Sequence, residues 1–105
     1  MDGSLDLKGG KLFPFLSSIG WVPCHKLDVV PYHRDEAIRK KFADHGMTTV
    51  GVRIDEVNDQ LLMVETLLQE GWRPTGRWSW VHTGQSVVYA FDIASDCVDF
   101  RLRIG

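Results

Sequence analysis

Apolar and polar residues alternate through the last third of the chain, from Arg77 to Ile104. Alternation with a period of two places every second side chain on the same face of a β-strand, so it predicts strands with one buried face. Glycine leads the dipeptide Gly84-Gln85, as a type II′ hairpin turn requires. This turn would place three pairs of residues opposite each other: His82 with Val87, Trp80 with Tyr89, and Trp78 with Phe91.

A second turn at Ser95-Asp96 would extend the hairpin into a three-stranded antiparallel meander with a last strand over 97–104. On the aromatic face of this meander, His82 would be the one polar residue. A shift of one residue would exchange the two faces and bury several charges, so the pattern specifies the register strongly. The same register places Arg77 opposite Asp92 on the reverse face.

The preceding part of the chain alternates between helical and strand patterns. Apolar residues recur at helical intervals over 11–19, 35–45 and 55–70, and these segments are followed by Gly20, Gly46 and Gly71. Shorter apolar runs over 24–30 and 48–54 predict strands. The predicted fold class is α+β, with an antiparallel or mixed sheet of four to five strands packed by two to three helices on one face.

The length of 105 residues fits one domain. Residues 1–10 are poor in apolar side chains and would form a loose lead-in to a single domain over 11–105. The phrase Leu-x-x-x-Gly-Trp-x-Pro occurs twice, beginning at Leu16 and at Leu67. It indicates either an internal duplication relating 11–54 to 61–104 or only the residue preferences that two helix ends share.

The charge balance is slightly acidic, with a formal net charge of −2 and a pI near 6.0. We therefore do not expect nucleic-acid binding, which depends on a basic surface.

No apolar stretch approaches the roughly 18–20 residues that span a bilayer, and the first residues lack the features of a secretory signal. We expect a cytoplasmic protein in which Cys24 and Cys97 are free thiols, with a disulfide between them as the alternative.

Cys24 and His25 combine chemically reactive residue types, and His33 follows eight residues later. A Cys–His pair can generate a thiolate nucleophile, and Cys/His sets bind zinc. Neighbours on a strand point to opposite faces, however, and neither Cys-x-x-Cys nor His-x-x-x-His is present. Signatures of nucleotide, phosphate and hydrolase sites are also missing from the sequence. We therefore expect no metal, no cofactor and no enzymatic activity.

His82 has two interpretations. Between aromatic neighbours on the predicted buried face, it could form a ligand pocket with Trp80 and Tyr89. A histidine in this position is more often a residue at the edge of the core that bonds to the backbone. A cavity beside His82 would favour the pocket.

The reverse face of the meander carries a candidate contact surface. Val81 and Val88 would be exposed there, among the side chains of Arg77, Arg101 and Arg103. Apolar residues rimmed by arginines on an exposed sheet are typical of a modest protein-contact patch. The alternatives are that a helix covers this face or that these residues are ordinary strand formers. We predict these five residues to bind a partner.

The leading functional prediction is a small non-enzymatic protein-binding domain that occludes a partner's surface. Inhibitors or regulators of viral or mobile-element origin, such as anti-CRISPR-like proteins, often have this size and lack of motifs, which is an argument by analogy. The first alternative is a ligand-binding or enzymatic domain with a pocket around His82, Tyr89 and Trp80. The second is a homodimeric subunit joined through an edge strand over 97–104 or 48–54.

Overall fold

The computed structural model describes residues 11–31, 33–53, 65–83 and 86–104. The predicted lead-in, the first part of the helix over 55–70 and the turn at Gly84-Gln85 lie outside the described residues. The secondary structure runs in the order α1 (Leu12–Ser18), a 3-10 helix (Cys24–Leu27), α2 (Asp35–Asp44), β1 (Thr48–Arg53), a helical segment over 65–69 that we call α3, β2 (Trp78–His82), β3 (Ser86–Phe91) and α4 (Ala94–Arg103). The α+β class is confirmed.

The helices α1, α2 and α3 end in the same way, on a glycine in the left-handed conformation. The φ angles of Gly20, Gly46 and Gly71 are +97°, +78° and +92°. In each helix, the amide of the residue after the glycine donates to a carbonyl five residues earlier, at 3.0 Å: Trp21 to Leu16, Met47 to Phe42, and Trp72 to Leu67. This is the Schellman motif. The predicted helix stops are therefore confirmed.

The repeated Leu-x-x-x-Gly-Trp phrase is this helix end, formed once at α1 and once at α3. The end of α2 makes the same hydrogen bond with Phe42 and Met47 in place of leucine and tryptophan. The segments farther along differ, because 50–53 is a strand and 100–103 is helical. Helix-ending geometry thus accounts for the phrase, and the duplication relating 11–54 to 61–104 stays a prediction.

β2 and β3 form the hairpin that the alternation predicts. Its register pairs Trp78 with Phe91, Trp80 with Tyr89, and His82 with Val87. The predicted neighbours Arg77 and Asp92 also meet, and the arginine donates to both carboxylate oxygens, at 2.7 and 3.2 Å. The hairpin and its register are confirmed.

The third strand predicted over 97–104 is wrong, because Ala94–Arg103 forms the helix α4. This segment carries two patterns at once. Val98, Phe100 and Leu102 alternate as in a strand, whereas Ile93, Cys97, Phe100 and Ile104 recur at helical spacing. As a helix, the segment buries Cys97 and Phe100 and leaves Val98 and Leu102 exposed.

The position beside β3 is taken by β1. The two strands pair antiparallel, from Thr48 opposite Phe91 to Arg53 opposite Ser86, and the strand order is β1-β3-β2. The strand predicted over 48–54 is thus confirmed for its described residues. The sheet has three strands in the described part of the chain, rather than four or five. The strand predicted over 24–30 is wrong, since a 3-10 helix begins at Cys24.

Helical segments pack on both faces of the sheet, which corrects the prediction of helices on one face. The aromatic face of β2 and β3 forms one core with residues of α1, α3 and α4, namely Leu12, Leu16, Leu67, Leu68, Cys97 and Phe100. The reverse face forms a second core with residues of the 3-10 helix, α2 and their flanks, namely Leu27, Val29, Ile38, Phe42 and Met47. Because both faces of the sheet are covered, its accessible part is largely its edges.

Candidate functional site

The predicted partner-binding residues do not form one surface. Val81 and Val88 are 2% and 0% exposed, because the 3-10 helix and α2 cover the reverse face. Arg77 is paired with Asp92 next to β2, whereas Arg101 and Arg103 lie on α4. Arg103 is in turn paired with Asp99 at 3.1 Å. The predicted patch of apolar residues rimmed by arginines is therefore absent.

Tyr89 is a core residue. It is fully buried, and its ring centroid lies 4.5 Å from that of Phe100. Burial raises the pKa of the Tyr89 hydroxyl well above its ordinary value, because the charged phenolate would lose its hydration. Tyr89 is therefore not part of an accessible pocket.

Trp80 and His82 do line a cavity, a groove of about 350 Å³ along the outer edge of β2. We call it the β2 groove. It is lined by Trp21, Pro23, Cys24, His25, Pro31, Trp80, Val81 and His82. The structure thus brings together two of the three predicted pocket residues. The Cys24-His25 pair lines the same groove.

The odd-numbered residues of the β2 region direct their backbone groups toward β3. The carbonyl of Arg77 accepts a hydrogen bond from the amide of Asp92 at 2.9 Å. At the other end of the strand, the amide of Thr83 donates to the carbonyl of Ser86 at 2.7 Å. Because these groups alternate in direction along a strand, the even-numbered residues direct theirs to the opposite, outer edge.

At the outer edge of β2, the first residue of the strand, Trp78, has a backbone hydrogen-bond partner. The amide of Trp78 donates to the carbonyl of Gly20 at 3.1 Å, and its carbonyl accepts from the amide of Val22 at 2.8 Å. The next outward-facing residues are Trp80 and His82. Neither makes a backbone hydrogen bond at this edge with a described residue. Their N–H and C=O groups therefore face the β2 groove.

The short parallel pairing of Trp21 with Trp78 stops before Pro23, and the chain turns into the 3-10 helix at Cys24. The hydroxyl of Ser79 donates to the carbonyl of Val22 at 2.6 Å and fixes the point where the two segments separate. The separation creates the groove.

Aromatic rings form one wall of the β2 groove. The ring of Trp21 lies 5.2 Å from that of Trp80 and 5.3 Å from that of Phe13, centroid to centroid. Phe13 is 48% exposed. The indole nitrogen of Trp21 and Nε2 of His82 are buried and have no hydrogen-bond partner among the described residues. The groove thus has apolar contact area, and two of its lining residues carry a buried polar atom without a partner among the described residues.

The Cys24 thiol in the groove is not activated as a nucleophile. Burial raises the pKa of the Cys24 thiol, although backbone hydrogen bonds at Cys24 and His25 act in the opposite direction. The thiol is therefore protonated near neutral pH and is a weak nucleophile. Among the residues that the structure describes, no three His, Cys, Asp or Glu side chains are grouped to hold a metal ion. Cys24 and Cys97 are free thiols.

Comparisons with protein-family models, with curated proteins and with solved structures gave no match. None of the helices in the described part of the chain combines the length and the apolar character needed to cross a membrane. The functional proposal therefore rests on the geometry of the β2 groove.

Proposed function

We propose that the protein binds a partner protein by accepting an extended segment of that partner as an additional strand at the outer edge of β2. The observation that carries this proposal is the outward direction of the backbone groups of Trp80 and His82, next to an aromatic groove. In strand addition, backbone hydrogen bonds supply affinity, and pockets for alternate side chains supply specificity. The β2 groove offers both.

The chain's own segment over 20–22 supports the proposal, because it already adds to this edge in parallel at Trp78. A partner segment would continue the pairing past Pro23, along Trp80 and His82. Every second side chain of the segment would face the rings of Trp21 and Trp80. We therefore expect an apolar, preferably aromatic or branched, residue at this position of the partner.

The interaction is of moderate strength. Each backbone hydrogen bond contributes about 0.5–1.5 kcal/mol, and one buried apolar side chain contributes about 1.5–3 kcal/mol. The four outward groups and one side chain thus give about 3.5–9 kcal/mol. The cost of ordering a flexible segment offsets part of this, so we expect a dissociation constant weaker than about 1 μM. By binding this segment, the protein would occlude it on the partner without turnover, as expected of a non-enzymatic inhibitor or regulator.

The proposal can be tested by selecting ligands from a phage library of random decapeptides against the full chain. The binding of the enriched peptides is then measured for two variants at one position. His82→Pro removes the outward N–H, a change that an edge strand tolerates where this group faces solvent. His82→Ala keeps the N–H and removes the imidazole. We expect His82→Pro to weaken binding about tenfold and His82→Ala less than about threefold.

A matched control places the same change on the other edge of the sheet. Arg53 pairs with Ser86, and the carbonyl of Ser86 accepts from the amide of Thr83, directly after β2. The backbone groups of Ser86 thus face β2, so the amide of Arg53 faces the outer edge of β1. Arg53→Pro should leave peptide binding unchanged, and circular dichroism should show all three variants folded. A library without enriched peptides, or equal losses in His82→Pro and Arg53→Pro, would contradict the proposal.

A second copy of the chain is the competing occupant of this edge. Sedimentation of the free protein distinguishes the two cases. A monomer that binds the selected peptides supports the proposal, whereas a dimer that His82→Pro dissociates would show that the edge serves homodimerisation.

A further inference from the structure

A second cavity, of about 500 Å³, lies between the start of α2 and the end of the sheet where β2 and β3 join. We call it the arginine cleft. Its lining is mainly polar and includes Asp35, Arg39, Gly51, Arg53, Thr83 and Ser86. It is separate from the aromatic wall of the β2 groove.

Arg39 is held in place at one side of the arginine cleft. Its Nε donates to the carboxylate of Asp35 at 2.9 Å, and Nη1 donates to the hydroxyl of Thr49 at 3.4 Å. Nη2 lies so close to Gly51 that a Cβ atom at that position would overlap it. A glycine inside a strand weakens the strand and often marks a close approach of another group. Gly51 thus leaves room for the guanidinium group.

Arg53 adds a second cation on the same face of β1, two residues after Gly51. It is exposed, and no ion pair joins it to a carboxylate of the described residues. Its cross-strand neighbour is Ser86, and Thr83 also lines the cleft. With His33 counted as neutral, two guanidinium groups and the Asp35 carboxylate give the cleft a charge of +2 − 1 = +1.

We propose that the arginine cleft binds the phosphate group of a small phosphorylated ligand. Guanidinium groups match the geometry of phosphate oxygens and bind them through paired hydrogen bonds. Phosphate carries more charge than a carboxylate and has more acceptor oxygens, so it can engage both arginines and the hydroxyl of Ser86. The volume exceeds that of phosphate alone and lies in the range of small-molecule sites.

Inorganic phosphate is the probe for this proposal, titrated into the ¹⁵N-labelled protein at constant pH and ionic strength, with chloride as the reference anion. We expect saturable amide shifts that centre on Gly51, Arg53 and Ser86. Arg53→Ala removes one cation. Gly51→Ala displaces the flexible end of Arg39 while the backbone stays in place. Each variant should weaken phosphate binding about tenfold, as expected for a lost charge-assisted hydrogen bond.

Arg101→Ala is the matched control, since Arg101 is an exposed arginine of α4 outside the cleft. It should bind phosphate like the unchanged protein, and Gly51→Ala should unfold at the same or a higher temperature. The proposal is overturned if chloride gives the same shifts, if the shifts do not saturate, or if Arg101→Ala loses as much affinity as the two cleft variants. It is also overturned if both cleft variants bind phosphate normally.

Discussion

Asp96 shows how one buried carboxylate connects two segments of the chain. It is 7% exposed, and its Oδ2 accepts from the amides of Thr75 and Gly76 at 2.9 and 3.0 Å. Its Oδ1 accepts from the hydroxyl of Thr75 at 2.9 Å. The residue lies in the first turn of α4, where negative charge is also favoured by the helix dipole. Ser95-Asp96 therefore lies in the first turn of a helix and does not form the predicted hairpin turn.

Two substitutions at Asp96 separate its hydrogen bonds from its charge. Asp96→Ala leaves the amides of Thr75 and Gly76 without their acceptor and should lower the free energy of unfolding by about 2–4 kcal/mol. In Asp96→Asn, the side-chain oxygen can replace Oδ2, and the amide group can donate to the Thr75 hydroxyl. Its loss should be less than half as large. Urea unfolding measures both values, and equal losses would show that charge, rather than the hydrogen bonds, dominates.

At the scale of secondary-structure elements, the helix ends determine where the strands begin. Gly20 ends α1 and brings its own carbonyl to the amide of Trp78. A Cβ atom at Gly20 would lie 3.0 Å from the carbonyl oxygen of Gly76, whereas a Cβ at Gly46 would meet nothing within 4 Å. Both glycines have positive φ angles. The same type of helix end is therefore tightly packed in α1 and open in α2.

This difference predicts unequal effects of the same substitution. Gly46→Ala should cost about 1 kcal/mol, which is the strain of alanine in the left-handed conformation. Gly20→Ala adds the crowding against Gly76 and should cost at least about 1 kcal/mol more. Thermal unfolding of the two variants measures the difference. Equal losses would mean that the contact between Gly20 and Gly76 relaxes freely.

Elements defined by local patterns were predictable from the sequence. The register of the hairpin follows from alternation, because its cross-strand partners lie close together in the chain. The pattern over 94–103 was ambiguous, since Phe100 fits both the alternating and the helical series. The helix is selected by contacts with distant residues, such as Thr75 with Asp96. The pairing of β1 with β3 joins distant segments, and no local pattern could indicate it.

At the scale of the whole molecule, helices on both faces leave the sheet edges as its accessible backbone. The candidate site was predictable in part, since Trp80 and His82 follow from the hairpin. The lining by Trp21, Pro23 and Pro31 was not, because tertiary packing brings these residues to β2. Trp21 and Pro23 belong to the repeated phrase, and in the sequence this phrase indicates only a helix end. Pro31 also borders the arginine cleft, so both candidate sites lie near the same end of β2.

Amide hydrogen exchange along β2 tests most directly whether this edge is open. The amides of Ser79, Val81 and Thr83 face β3 and should exchange slowly. Those of Trp80 and His82 face the β2 groove and should exchange at least about tenfold faster. A selected peptide should slow exchange at Trp80 and His82 without changing Val81. If Trp80 and His82 are protected as strongly as Val81 in the free protein, the edge is already paired and the proposed mode of binding is wrong.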